Sequence, residues 1–276
     1  MWTKQHRARH EAVLKQVVSA CAIEEMARWL ERADPPRGGG ATPALPVVRA
    51  IAWHLRVGGG WRALPPGMPP WRTVYGWFRR WLALGLFDRL LCDLACLRRK
   101  AAGRKPMPRL AIVDTQSVKC IPICGPRGFD AGKKVLGRKR VALVDAQGHG
   151  LAVAVVPAST QDRDTLPALD AGKAEWPSLR EVILDGAFTA ERCREWANLH
   201  GIRHRVVVRS EGQKGFVVLA RRWVVERSFG WLTHWGGLLR DQAGRLDVAA
   251  GRIACVAVLS GVEALINPRP ARYVPT

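Results

Sequence analysis

The sequence predicts an α+β chain: a small all-helical region, then a mixed sheet covered by helices. Three observations predict it. Up to residue 100 the apolar residues recur at helical spacing. At "AAGRKPMP" (101–108) the character changes, and β-branched runs closing on acids follow. After that point the order is strand, two-strand hairpin, helix, strand, helix, strand, helix. We therefore divide the chain into two domains, a small all-helical one, 1–100, and a sheet-containing one, 101–276.

Residues 8–32 read as one helix, stopped by the turn chemistry of "DPPRGGG". Residues 44–57 form a second helix, and "GGGWRALPPGMPP" is a rigid connector without regular structure. Residues 71–85 and 86–100 are helical by periodicity. Trp61, Trp71, Trp77 and Trp81 read as core of this region. "WRTVYGWFRRW" is also a candidate recognition helix, with Arg72, Arg79 and Arg80 toward phosphates or base edges. In the second region, "RLAIVDTQ" (109–116) is a strand, and "RVALVDAQGHGLAVAVVPA" (140–158) is a hairpin turning at 147–150. "TLPALDAGKAEW" is a helix candidate. "REVILDGAF" is a strand, "TAERCREWANLHG" a helix with Thr189 as N-cap, and "RHRVVVRS" (203–210) a strand. Residues 221–240 return to helix, and "VAAGRIACVAVLSGVEAL" closes the chain. That order matches the ribonuclease H-like layout.

Charge narrows the function. Lys and Arg number 44 against 23 acids, a net of +21, which implies a polyanionic partner, most simply nucleic acid. Hydrophobic residues make up 48%, which excludes a disordered chain. No apolar run free of charge reaches the roughly 20 residues of a membrane span, and the N-terminus lacks a signal-peptide core. The expectation is no membrane partner and a cytoplasmic, nucleoid-associated protein. The seven cysteines lack finger spacing and read as reduced thiols.

Three acids stand out. Asp114 ends the strand "LAIVD", and Asp185 ends "EVILD". Glu226 is the only carboxylate between Glu211 and Asp241, a stretch with five Lys or Arg. Taken singly, each fits a turn, cap or ion-pair role. Together, two strand ends and a helix packed beside them form a candidate site for two Mg²⁺ ions, or Mn²⁺, and phosphoryl transfer. Asp145 also ends a strand but reads as a turn acid. "GPRGFDAGKKVLGRKR" (125–140) reads as a phosphate-gripping loop or hairpin, through Arg127, Lys133, Lys134, Arg138, Lys139 and Arg140, with Lys119 upstream.

"DTQSVK" (114–119), the basic loop, "PASTQDRDTLPAL" (157–169), "DGAF" (185–188) and "RRWVVERSFGWL" (221–232) together resemble insertion-sequence transposases of the IS5 group, within the IS4/IS5 DDE class. "GGGWRALPPGMPPWRTVYGWFRRW" resembles their amino-terminal domain. The resemblance implies a catalytic triad of Asp114, Asp185 and Glu226 holding the metal pair. It further implies binding of terminal inverted repeats, cleavage at element ends, and joining of the 3′-OH to target DNA by a homodimer. Arg222 matches the arginine preceding the family glutamate, and Arg227 follows it within the same motif. The chain departs from the family pattern at Leu219 and Thr233, at Gly236 and Gly237, where relatives usually carry two arginines, and at Val141, where they carry histidine. A DNA-binding protein without catalysis and a metal-dependent nuclease that cuts without joining are the alternative functions.

Overall fold

The computed structural model describes residues 3–37, 42–122, 125–207 and 223–268. The helical region holds α1 (Lys4–Lys15), α2 (Ala20–Ala33), α3 (Ala44–Val57), α4 (Trp71–Ala83) and α5 (Leu86–Ala101). The single helix expected over 8–32 is two. Ser19 breaks it, because its side chain accepts from the Ala22 N–H and caps α2. The connector is not wholly irregular, since Trp61–Ala63 forms a 3₁₀ turn. Trp81 is fully buried, and Trp61 stacks on His54 at 3.8 Å between ring centroids.

The sheet is built from β1 (Leu110–Lys119), β2 (Gly128–Asp130), β3 (Val135–Asp145), β4 (Gly150–Pro157), β5 (Glu181–Asp185) and β6 (Arg203–Val207). Its order is β2-β3-β1-β5-β6, with β4 also on β3. β3 is antiparallel to β1, β2 and β4, whereas β1, β5 and β6 run parallel. One edge of β3 carries β1. The other carries β2 against 135–137 and then β4 against 138–144. Three strands in succession, the middle one reversed, followed by two parallel strands on the other side of the first, make this a ribonuclease H-like sheet. The remaining elements are α6 (Asp170–Ala174), α7 (Glu191–Leu199), α8 (Trp223–Leu232), α9 (Gly236–Leu239) and α10 (Leu246–Ile266). The helix expected from "TLPALDAGKAEW" is a 3₁₀ turn over Leu166–Leu169 leading into the five-residue α6. α7 is capped by Ala190 rather than Thr189, without a side-chain bond. The tail of the "RHRVVVRS" strand beyond 207 lies outside the described residues.

Both faces of the sheet are covered. Ala111 and Val113 of β1, with Val182 and Leu184 of β5, pack with Trp176, Phe188 and Trp196. Ile112 and Ile183 point the other way, into a core with α2, α3, α4, α8 and α10. The helical region therefore shares its core with α10 (Leu246–Ile266) and with the sheet. α10 has 21 residues and is apolar enough to cross a membrane by length and composition. It escaped the search for charge-free runs because it carries Asp247, Arg252 and Glu263. Twelve of its residues are buried, so it is a core helix here.

Candidate active site

Strand pairing positions the first two acids. Ile112 of β1 lies beside Ile183 of β5 in parallel register. Asp114 and Asp185 stand two residues farther along each strand, at one level: Asp185 closes β5, but Asp114, expected at a strand end, lies within β1, which runs on to Lys119. Side chains alternate between faces, so both acids lie on the face of Ile112 and Ile183. Asp114 is 8% exposed, and its Oδ1 accepts from the Thr115 N–H at 2.7 Å. Asp185 Oδ1 accepts from the Ala187 N–H at 2.9 Å and opens the 3₁₀ turn Gly186–Phe188. Asp185 thus fills the capping role open to an acid at a strand end.

The third acid arrives on α8. Val224, Val225, Phe229 and Leu232 bury this helix in the core that also contains Ile112 and Ile183. Ser228 Oγ donates to the Gly148 carbonyl at 3.2 Å and Arg227 Nη2 to the Gln147 carbonyl at 2.8 Å, tying α8 to the β3–β4 turn. Glu226 is exposed, in the first turn of α8. It is on the same side of the sheet as the two aspartates. Among the described residues no three His, Cys, Asp or Glu gather closely enough to hold a metal ion. The structure thus brings Asp114 and Asp185 together and leaves Glu226 outside a three-donor group. Arg222, in front of α8, lies outside the described residues, as does Leu219.

Asp145 is more than a turn acid. Its Oδ1 accepts from the N–H groups of Gln147 and His149, at 2.8 and 3.0 Å. Its Oδ2 pairs with Arg99 Nη1 at 2.5 Å and meets His149 Nδ1 at 3.2 Å. Burial pushes its carboxyl up, but the His149 and Arg99 contacts outweigh it and hold it well below the usual carboxylate range.

The cations divide into two sets. Arg138, Lys139 and Arg140, expected to grip phosphates from a loop or hairpin, are buried instead. They lie on β3, which is paired on both edges and covered on both faces, so each charge needs a protein partner. Arg138 pairs with Asp241 at 3.2 Å, and Lys139 Nζ reaches Asp162 at 2.6 Å and the Thr160 carbonyl at 2.7 Å. Arg140 donates to the Leu238 carbonyl and to Gln116 Oε1. Burial lowers its guanidinium to about 10, against an opposing pull from Asp241. Lys119, Arg127, Lys133 and Lys134 are exposed. On α4, Arg72 is exposed and stacks with Arg62 about the Trp71 ring, at 5.5 and 5.2 Å. Arg79 is half-buried. Arg80 clamps Asp34 through two bonds of 2.5 and 2.6 Å, joining α4 to the end of α2.

Sequence reading missed a ladder on α8. Arg227 sits between the rings of Trp223 and Trp231, at 4.5 and 5.0 Å. The signal was there, since positions four apart stack on one helix face. It also missed Asp162, the partner of Lys139, which stands in the acid-rich "TQDRD" after β4. The family departures acquire physical reasons. A Cβ at Gly236 would lie 2.9 Å from the Arg56 carbonyl, and one at Gly237 would lie 2.8 Å from that of Leu55. Any side chain there would hold α9 off the end of α3. Val141 is fully buried on the sheet face opposite Asp114 and Asp185.

Comparisons with known proteins bear on this arrangement. Residues 105–260 match the family described as a transposase DDE domain, and residues 22–91 match a family of IS4/5 transposases. A protein of Sinorhizobium fredii, y4sN, described as uncharacterized, is 39% identical over 46 residues, covering 17% of this chain. The match spans 37% of that relative's length. Among solved structures, an intasome of simian T-cell lymphotropic virus bound to a PP2A regulatory subunit shares 16% identity, at a TM-score of 0.32, over 45% of this chain and 38% of the other. The catalytic core of BIV integrase shares 13% at 0.30, over 59% and 87%. The Mos1 mariner paired end complex with Mn shares 10% at 0.28, over 94% and 95%. The fold assignment rests on the strand order itself.

Proposed function

Because this chain belongs to the IS4/IS5 family of DDE transposases, we propose that it mobilises an insertion sequence: it binds the terminal inverted repeats, cuts at the element ends and joins each 3′-OH to target DNA. The observation that carries the reading is the pair Asp114 and Asp185, side by side on neighbouring parallel strands of a ribonuclease H-like sheet. With Glu226 they make an all-carboxylate donor set, the hard oxygen chemistry that Mg²⁺ and Mn²⁺ take. When bound, a metal pair supplies activation of the attacking oxygen and stabilisation of the leaving one.

The chain's own residues do the rest. Asp114, on the central strand, bridges the two halves of the site. The Thr115 and Ala187 amides fix the carboxylates of Asp114 and Asp185. Glu226 completes the set from α8. Its exposed helix start leaves it accessible to the DNA-bound state. Exposed Lys119, Arg127, Lys133, Lys134 and Arg72 bind phosphates, and Arg79, Arg222 and Arg227 are further candidates for phosphate contacts. A homodimer holds the two ends together.

The test uses the full-length protein with Mg²⁺, a labelled duplex carrying the inverted repeats that flank the gene, and a plasmid target. Wild type is expected to give both cleaved ends and joined product. Asp114→Asn, Asp185→Asn and Glu226→Gln are expected to bind DNA but lose both products by at least about a thousandfold. Nicked DNA without joined product would make the protein a nuclease instead. Joining at wild-type rate by folded Glu226→Gln would return Glu226 to a structural role.

A further inference from the structure

The hairpin of β2 and the start of β3 holds two large apolar side chains in water. Phe129 is 56% exposed and Leu136 is 53% exposed. They are paired directly across the two strands, so they share a face and form one apolar edge. The hairpin is held stiffly. Asp130 Oδ1 accepts from the Lys133 N–H at 3.0 Å, and Asp130 Oδ2 from Ser117 Oγ at 2.5 Å. At its base, Gly128 approaches β4's exit so closely that a Cβ would lie 2.2 Å from Ser159 Oγ.

Cations fringe this edge. Lys133 and Lys134 form the turn, and Arg127 stands at the base, all exposed. The hairpin's single acid, Asp130, is half-buried and engaged with Ser117, Lys133 and Lys139. An exposed apolar edge with this fringe is complementary to one class of occupant, a polyanion with an apolar interior. Duplex DNA, with stacked bases inside a phosphate shell, is that occupant.

Register fixes where the edge lies relative to the site. Asp114 pairs with Ala142. Leu136 is six residues from Ala142 along β3 and, by alternation, on the same face as the two aspartates. That separation is about 20 Å of strand, the length of about six stacked base pairs.

We propose that Phe129 and Leu136 form a wedge that enters a DNA base step about six base pairs from the phosphate held at Asp114 and Asp185, with Arg127, Lys133 and Lys134 on the flanking phosphates. The wedge partly unstacks that step and bends the duplex. The proposal rests on the reading of this chain as a DNA-cutting transposase.

Bending is measured by energy transfer between dyes at the two ends of a random-sequence duplex of about 30 base pairs. Wild type and Asp114→Asn are both expected to raise the transfer on binding. The double variant Phe129→Ala/Leu136→Ala is expected to bind within about threefold of wild type, at low salt where phosphate contacts dominate, yet give no rise. Phe129→Leu keeps an apolar edge and is expected to keep the bend, which separates loss of the wedge from loss of fold. Lys133→Gln/Lys134→Gln is expected to weaken binding by about tenfold or more. Equal transfer with wild type and the double alanine variant would overturn the wedge. So would a double variant that changes only the protein's own association in sedimentation, since the edge would then join two copies of the chain. Bending without any cleavage on inverted-repeat DNA would sink the transposase reading and leave the wedge standing.

Discussion

At the scale of single residues, buried charge decides more than exposed charge. Asp145 is fully buried between Arg99 and His149. Asp145→Ala leaves a buried guanidinium uncompensated and is expected to cost about 3–5 kcal/mol, read from denaturant midpoints. Asp145→Asn is expected to cost less, and in neither variant does the folded fraction lose DNA cleavage. An unchanged midpoint for Asp145→Ala would contradict the ion pair. His54 gives a pH dependence. Burial, reinforced by Arg252, lowers its imidazole to about 3 from an ordinary 6.5. The unfolded chain therefore binds a proton below pH 6.5 that the folded chain refuses until about pH 3. Stability is expected to fall as pH drops through that window and to be insensitive to His54 above it. His54→Phe, which keeps a ring against Trp61, is expected to flatten the slope. An identical slope in the variant would show that other groups carry it. Sequence reading found the three acids because they interrupt apolar runs. It did not find that Arg138, Lys139 and Arg140 are buried, because "GRKR" reads as a solvated tract until the strand on either side is known.

At the scale of elements, the strands were the legible part. β1, β4 and β5 announce themselves by β-branched runs, but β1 does not stop at Asp114 and runs on to Lys119, whereas Asp185 does close β5; parallel pairing of the two strands sets the acids side by side. The helices were legible by period and less so at their ends. Ser19 splits the first one, and a cap formed by a mid-sequence serine is not distinguishable from an ordinary polar position without the backbone. The α3–α9 contact was invisible for another reason. Glycines 236 and 237 look like a lost arginine pair in sequence, whereas in space they let α9 lie against the last carbonyls of α3. Gly237→Ala places a Cβ 2.8 Å from the Leu55 carbonyl, against backbone that cannot yield cheaply. The expected cost is about 1–3 kcal/mol by thermal or denaturant unfolding, with arginine there costing more. A neutral Gly237→Ala would mean that α9 moves without penalty.

At the scale of the whole molecule, the excess of 21 positive charges sets how binding responds to salt. The logarithm of the DNA affinity is expected to fall by about 0.9 per phosphate contact for each tenfold rise in salt. Lys133→Gln/Lys134→Gln is expected to reduce that slope by about two. A slope near zero in wild type would remove the phosphate-dominated interface. The ribonuclease H-like order followed from the succession of elements, but the way the helical part shares a core with the rest did not, because it depends on α10, far along the chain from the helices that it covers. That arrangement has a consequence for synthesis. While the ribosome is still working through the sheet, α2 and α3 have no partner for the faces that α10 will cover. The amino-terminal helices therefore wait for the carboxyl end to emerge, and a product cut short by a nonsense codon or frameshift leaves them unprotected. Such fragments are expected to be digested by protease as nascent chains and after release, with protection appearing only once α10 has cleared the exit tunnel. Dominant interference by truncated copies is thereby excluded at the source, since a chain lacking α10 is expected to be degraded before it accumulates.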